Sequence, residues 1–149
     1  MANNSEIPSK ILIVDDEKDI IDLVQYHLEK DGFIVKSASN GKDALEIARS
    51  FLPDLILLDV MMPEMDGMET CVEIREDQLL KNTIVAFLTA RSEDYSQIAG
   101  FESGADDYIT KPIKPRVLVS RVKALLRRGS SNNLPETTST GLTIDREKY

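Results

Sequence analysis

Two aliphatic runs, Ile11-Leu12-Ile13-Val14 and Leu55-Ile56-Leu57-Leu58, carry no polar residue at alternate positions, and nothing else in the chain constrains the fold so tightly. A strand with one wet face alternates. A strand without alternation needs cover on both faces, which is the condition of a parallel sheet wrapped by helices. The rest of the chain supplies the wrapping: strand-like segments at Lys10 to Val14, Phe33 to Ser37, Asp54 to Leu58, Thr83 to Leu88 and Asp107 to Ile109 alternate with helical patterns. The expected fold is therefore α/β and doubly wound, with five parallel strands and five helices.

The helices have readable ends. The first places Ile20, Val24 and Leu28 at four-residue spacing, with Ile21 and Leu23 widening the stripe and Asp31-Gly32 as the stop. The second starts at an N-cap, Asn40, buries Ala44, Leu45, Ala48 and Phe51, and halts before Pro53. The third follows Asp66-Gly67 and carries Met68, Cys71, Val72 and Arg75; the fourth runs from about Ser92 to Gly104. The fifth opens at Pro115, repeats Leu118, Val122 and Leu125, and ends in Arg127-Arg128. These boundaries predict a polar lead over 1–8, one domain over 9–128, a linker over 129–141 and a strand-like fragment over 142–149.

With 26 acidic against 18 basic side chains and a net charge of −8, the chain is a poor match for a phosphate backbone, so DNA contact must come from elsewhere. The single cysteine, Cys71, cannot form an internal disulfide and fits packing in a reducing compartment. No apolar stretch approaches membrane-spanning length and the start lacks a signal peptide pattern. The expectation is a cytoplasmic protein with no membrane contact.

The chemistry collects at strand ends. Asp59 closes the second aliphatic run and Asp15-Asp16 closes the first, so two strands deliver three carboxylates to the edge of the sheet where ligands bind in parallel α/β folds. Converging like charges call for a cation, and a compact set of hard oxygens suits Mg²⁺, with Mn²⁺ as a substitute. A carboxylate beside such a cation can act as a nucleophile toward phosphorus. Lys111 follows the fifth strand on the same edge, before Pro112 and a peptide bond that can be cis. Thr89 leaves the fourth strand with a hydroxyl to offer. Taken singly these residues have plainer uses: Asp15 and Asp16 as helix caps, Thr89 as a strand end, Tyr108 and the Met61, Met62, Met65 and Met68 group as packing, and His27 as a half-exposed helix residue.

Together, Ile11-Leu12-Ile13-Val14-Asp15-Asp16-Glu17, Leu57-Leu58-Asp59-Val60-Met61-Met62-Pro63, Leu88-Thr89-Ala90 and Gly104-Ala105-Asp106-Asp107-Tyr108-Ile109-Thr110-Lys111-Pro112 resemble the receiver domain of two-component response regulators. The resemblance runs from about Ser9 to Arg128. It implies a flavodoxin/CheY-like sheet of order 2-1-3-4-5 and a phosphorylation switch rather than a conventional enzyme. Asp59 is then the acceptor of a phosphoryl group from a sensor histidine kinase. Asp16, Asp59 and the Met61 backbone carbonyl are implied Mg²⁺ ligands, and Asp15 acts through a bound water. Lys111 and Thr89 are implied phosphoryl partners, and Thr89 with Tyr108 the switch pair. A haloacid-dehalogenase-like phosphatase would want Asp where Met61 stands, and a flavodoxin-like cofactor site would not place Asp15-Asp16-Glu17 after its first strand.

The last helix carries Lys114, Arg116, Arg121, Lys123, Arg127 and Arg128 with no acid among them, against acidic Glu93, Asp94, Glu102, Asp106 and Asp107 just upstream. Resemblance to the OmpR/PhoB subfamily implies a homodimer on phosphorylation, through the fourth helix, fifth strand and fifth helix, with Asp106, Asp107, Arg121 and Arg128 as candidate contacts. Gln97 and Val117 stand where that pattern has a basic residue and a glutamate. Gly141 to Tyr149 resembles the opening strand of the winged-helix DNA-binding domain that follows such receivers; the alternative is a free-standing receiver with a disordered tail.

Overall fold

The computed structural model describes residues 7–90 and 104–133, with side chains to 129. Within them the chain reads β1 (Lys10–Val14), α1 (Lys18–Lys30), β2 (Ile34–Ala38), α2 (Gly41–Phe51), β3 (Leu55–Asp59), α3 (Gly67–Glu76), β4 (Ile84–Thr89), β5 (Asp107–Thr110) and α4 (Pro115–Asn133). All strands are parallel, in the order β2-β1-β3-β4-β5. The expected helix from Ser92 to Gly104, the outer part of the polar lead, and the fragment at 142–149 lie outside the described residues.

The unalternated runs are explained by two cores. Leu12, Val14, Ile56, Leu58, Val85 and Phe87 face α2 and α3, where they meet Ala44, Leu45, Ala48, Cys71 and Ile74. Their neighbours Ile11, Ile13, Leu55, Leu57, Ala86 and Leu88 face α1 and α4, where they meet Val24, Leu28, Leu118, Val122 and Leu125. Successive side chains on a strand point to opposite faces, so both faces are apolar because both are covered.

The caps follow the expected chemistry. Asn40 Oδ1 accepts the Asp43 N–H at 2.8 Å, and Asp66 with Glu69 closes a reciprocal capping box at the start of α3. Gly32 takes φ +99° after α1, a conformation that costs glycine nothing.

Two expectations shift, the strand ends and the end of the last helix. Strands β2 to β5 each end one residue later than expected, and in β3, β4 and β5 the backbone ladder continues past the last aliphatic: Asp59 pairs with Leu88, and Thr89 with Thr110. Asp59 and Thr89 are thus the last residues of strands, fixed by sheet geometry. In α3 the buried side is Gly67, Thr70, Cys71 and Ile74, and Val72 is turned outward at 41% exposed. The last helix does not stop at Arg128 but runs through Gly129 to Asn133, so 129–133 is helix where a linker was expected. Gly129 is not a helix stop here: a Cβ on it would lie 2.8 Å from Ile84 Cδ1, so its bare backbone lets α4 pass close to the start of β4.

Arg75 was expected only as a helix position. Its Nε donates to the Gly104 carbonyl at 2.8 Å, Nη1 to the carbonyls of Lys81 and Thr83, and Nη2 to Asp106 Oδ2 at 2.9 Å. The same Asp106 oxygen accepts the Val85 N–H at 2.9 Å. One guanidinium therefore ties the end of α3 to the starts of β4 and β5.

Candidate functional site

The carboxyl ends of β1, β3, β4 and β5 converge. Asp15, Asp16 and Asp59 each offer one carboxylate oxygen to a cluster in which those oxygens lie within 4.8 Å of one another. Asp15 is wholly buried and Asp59 is 4% exposed, while Asp16 opens to solvent. The Asp15 N–H donates to the Ala38 carbonyl at 3.2 Å, which carries the β1–β2 ladder one residue beyond the strand. Asp15 Oδ1 accepts the Glu17 N–H at 2.9 Å, and its Oδ2 accepts no hydrogen bond.

Lys111 reaches into this cluster from the end of β5. Its ammonium is 3.1 Å from Asp15 Oδ2 and 3.6 Å from Asp59 Oδ1. A third carboxylate, Glu17 Oε1, lies 3.6 Å away. The Lys111 backbone is held by its N–H donating to the Thr89 carbonyl at 2.6 Å, and the Lys111–Pro112 peptide is cis. Burial works against the ammonium charge, yet the carboxylates of Asp15, Asp59 and Glu17 more than offset it and raise the Lys111 pKa.

Asp59 moves the other way for an acid. Burial is the main cause, with the Asp15 charge next, and together they overcome the opposing pull of Lys111 and the Met61 N–H to push its pKa up to about 7. The Met61 N–H points at Asp59 Oδ1 over a long 3.4 Å, and the Met61 side chain is 72% exposed. This β3–α3 loop is closed by the Gly67 N–H donating to the Val60 carbonyl at 2.9 Å, with Glu64 at φ +69° within it.

The donor set fits a hard divalent cation. Three carboxylates supply oxygens within 4.8 Å of one another, two of them on buried residues. The sequence expectation thus brings Asp15, Asp16, Asp59 and Lys111 together, with Thr89 buried at the neighbouring strand end. Tyr108 lies one step along β5, half-buried against the α2 and α3 core. What sequence reasoning missed is Glu17 as a partner of Lys111; the third acid of Asp15-Asp16-Glu17 was the available signal.

The four candidate contact residues are engaged within the chain in part. Arg121 grips Asp107 with two nitrogens, Nη2 to Oδ1 at 2.9 Å and Nε to Oδ2 at 3.2 Å, and Asp106 is held by Arg75. Arg128 is exposed and lines an open groove with Asp106, Asp107 and Arg121. Val117 is 47% exposed, and Gln97 lies outside the described residues. No helix among the described residues is long and apolar enough to cross a membrane.

The family described as "Response regulator receiver domain" matches residues 11–123. Over 119 residues the chain is 50% identical to the alkaline phosphatase synthesis transcriptional regulatory protein PhoP of Bacillus subtilis, covering 80% of this chain and 49% of that protein. It is 47% identical over 129 residues to the transcriptional regulatory protein SrrA of Staphylococcus aureus, covering 87% of this chain and 52% of SrrA. Among solved structures it is similar to DrrB, a Thermotoga maritima OmpR/PhoB homologue, at 40% identity and a TM-score of 0.73, covering 82% of this chain and 54% of that one. The chain spans about half the length of the curated relatives it matches. With the strand order, the acid cluster and the lysine all in place, the chain belongs to the response regulator receiver domain family.

Proposed function

We propose that Asp59 accepts a phosphoryl group from a phosphohistidine on a sensor histidine kinase, and that the chain is a signalling switch. The observation that carries this reading is the Lys111 ammonium held 3.6 Å from the buried Asp59 carboxylate, beside two further acids on the same sheet edge. An Asp59 oxygen attacks phosphorus, the bond from phosphorus to the leaving nitrogen breaks, and the leaving imidazole keeps the electron pair. Lys111 meets the charge spread over the equatorial oxygens, and the Thr89 hydroxyl donates to one of them. Asp16, Asp59 and the Met61 carbonyl would hold Mg²⁺ or Mn²⁺, with Asp15 acting through a water. When bound, the cation supplies charge neutralisation at the phosphoryl oxygens and keeps the carboxylates ionised. Hydrolysis later returns Asp59 to its free state.

The test is direct. Incubation with acetyl phosphate and Mg²⁺ should give a retarded band on a phosphate-affinity gel, absent without divalent cation and absent in Asp59→Asn. A band that survives in Asp59→Asn would place the acceptor elsewhere.

The phosphoryl contacts bias a two-state equilibrium in which Thr89 moves and Tyr108 turns, and the readout is association of two copies. The dimer uses the face around β5 and α4, with Asp106, Asp107, Arg121 and Arg128 as its charged residues. Support comes from the Arg121–Asp107 fork, which can be exchanged between copies at little cost. Sedimentation should show dimers when beryllofluoride and Mg²⁺ are added, and Arg121→Glu should hold the protein monomeric; dimers of unchanged strength in that variant would defeat the assignment. The transcriptional regulators PhoP and SrrA, each about twice as long as the match, support a role in transcription; we infer that it is cytoplasmic and that a C-terminal winged-helix domain makes the DNA contact.

A further inference from the structure

Glu17 is the N-cap of α1, yet its side chain makes no capping hydrogen bond. The free N–H groups of the first turn are the ordinary attraction for an acid at that position. The carboxylate turns instead to Lys111, with Oε1 3.6 Å from Nζ. It differs from the other two acids around that ammonium in one respect: Asp15 and Asp59 are buried, whereas the Glu17 side chain is 62% exposed. Lys111 therefore sits between an inner pair of carboxylates and an outer one. Glu17 is also not among the three acids that converge as a cation site. Its backbone is placed by donation to Asp15 Oδ1 at 2.9 Å, so the acid that pairs with Lys111 on the inside also sets the position from which the outer acid hangs.

We propose that Glu17 is a positioning residue for phosphoryl transfer: it draws the Lys111 ammonium toward the mouth of the pocket in the unphosphorylated protein and has to release it for the reaction. This rests on the reading of Asp59 as phosphoacceptor. As the bond from Asp59 to phosphorus forms and acetate departs from acetyl phosphate with its electron pair, Lys111 is required at the equatorial oxygens. Attraction to Glu17 is present before that step and relaxed within it, so it stabilises the ground state alone and slows transfer. An exposed ion pair of this kind changes a rate by up to about fivefold. Glu17 thereby tunes how readily the protein is phosphorylated without touching the donor.

The experiment uses the full chain with acetyl phosphate and Mg²⁺, following the retarded band over time. Glu17→Gln should be labelled about two- to fivefold faster than wild type. Glu17→Asp keeps the charge but draws the carboxylate one methylene back toward the free N–H groups of α1, and it should match Glu17→Gln. In a Lys111→Met background, where labelling is slower throughout, Glu17→Gln should change nothing, because the group it acts through is gone. Acceleration that persists without Lys111, or Glu17→Asp behaving as wild type, would mean simple repulsion of an anionic donor and would overturn the proposal. So would an unchanged or slower Glu17→Gln. A wild-type protein that takes no label defeats the phosphoacceptor reading and this inference with it, whereas a labelled wild type with indifferent Glu17 variants defeats the inference alone.

Discussion

Without divalent cations, the protein is expected to lose thermal stability as pH rises from about 4 to about 7, and Asp59→Asn is expected to remove most of that loss. The folded-state pKa of Asp59 lies near 7 against an ordinary value of 3.8. Between those values the folded protein binds a proton that the unfolded chain has released, so raising the pH favours unfolding. A shift of this size corresponds to an upper bound of roughly 4 kcal/mol at pH 7. The asparagine variant keeps the shape and removes the buried charge. It gives up the attraction of Lys111, so the net gain at pH 7 is expected to be about 1–3 kcal/mol. Carboxylates held low by their partners, such as Asp77 beside Arg49, act in the opposite direction but are common to both proteins, so the difference between them isolates Asp59. Mg²⁺ should flatten the wild-type profile and leave Asp59→Asn much less affected. Parallel pH profiles for the two metal-free proteins, measured by calorimetry, would contradict the assignment of strain to this carboxylate.

Gly67→Ala should be the most damaging single-methyl change near the site. A Cβ there would collide with the Asp59 carbonyl oxygen and lie 2.9 Å from Val60 Cα and 3.0 Å from the Asp59 carbonyl carbon. These are backbone atoms at the buried end of β3 and of the residue after it, so no side-chain rotation relieves the overlap. Either α3 lifts away or the end of β3 is displaced, and in both cases the Asp59 carboxylate and the Met61 carbonyl lose their relation. The expected cost is about 2–3 kcal/mol in urea unfolding, with Mg²⁺ affinity falling at least about tenfold by titration calorimetry. Gly32→Ala is the comparison: nothing lies within 4 Å of a Cβ there, so only its φ of +99° is penalised, at about 1 kcal/mol, and Mg²⁺ binding should not change. Equal Mg²⁺ affinity in Gly67→Ala and wild type would show that the loop tolerates the methyl and that the close approach does not fix the site.

The layering was legible in the sequence because aliphatic runs without alternation admit few arrangements, and Ile11 to Val14 with Leu55 to Leu58 already imply two covered faces. The acid cluster was legible for a related reason, since a carboxylate ending such a run is placed by the sheet. What the sequence hid were relations between distant segments. Arg75 and Asp106 lie in different elements, and no periodicity links a guanidinium to the carbonyls it gathers. Glu17 was hidden by proximity: a third acid after Asp15-Asp16 reads as local repulsion until Lys111 is placed beside it. The linker was expected to begin at 129 because the polar stretch from there on has no periodicity, whereas the contact of Gly129 with Ile84 gives that glycine a steric use inside the helix.

The course of α4 separates where this molecule is written from where it can be read. The helix opens at Pro115, close after Lys111, and by Gly129 it has reached Ile84 at the opposite edge of the sheet, a run of about 21 Å. Asp59 and the point where Gly129 meets Ile84 therefore lie at opposite poles of the sheet, too far apart for any side chain to bridge. If Asp59 is the phosphoacceptor we propose, a signal from it to that end has to travel lengthwise, along the flank of α4 and the edge strand beside it, and substitutions on that flank should mute the signal without altering the chemistry that starts it.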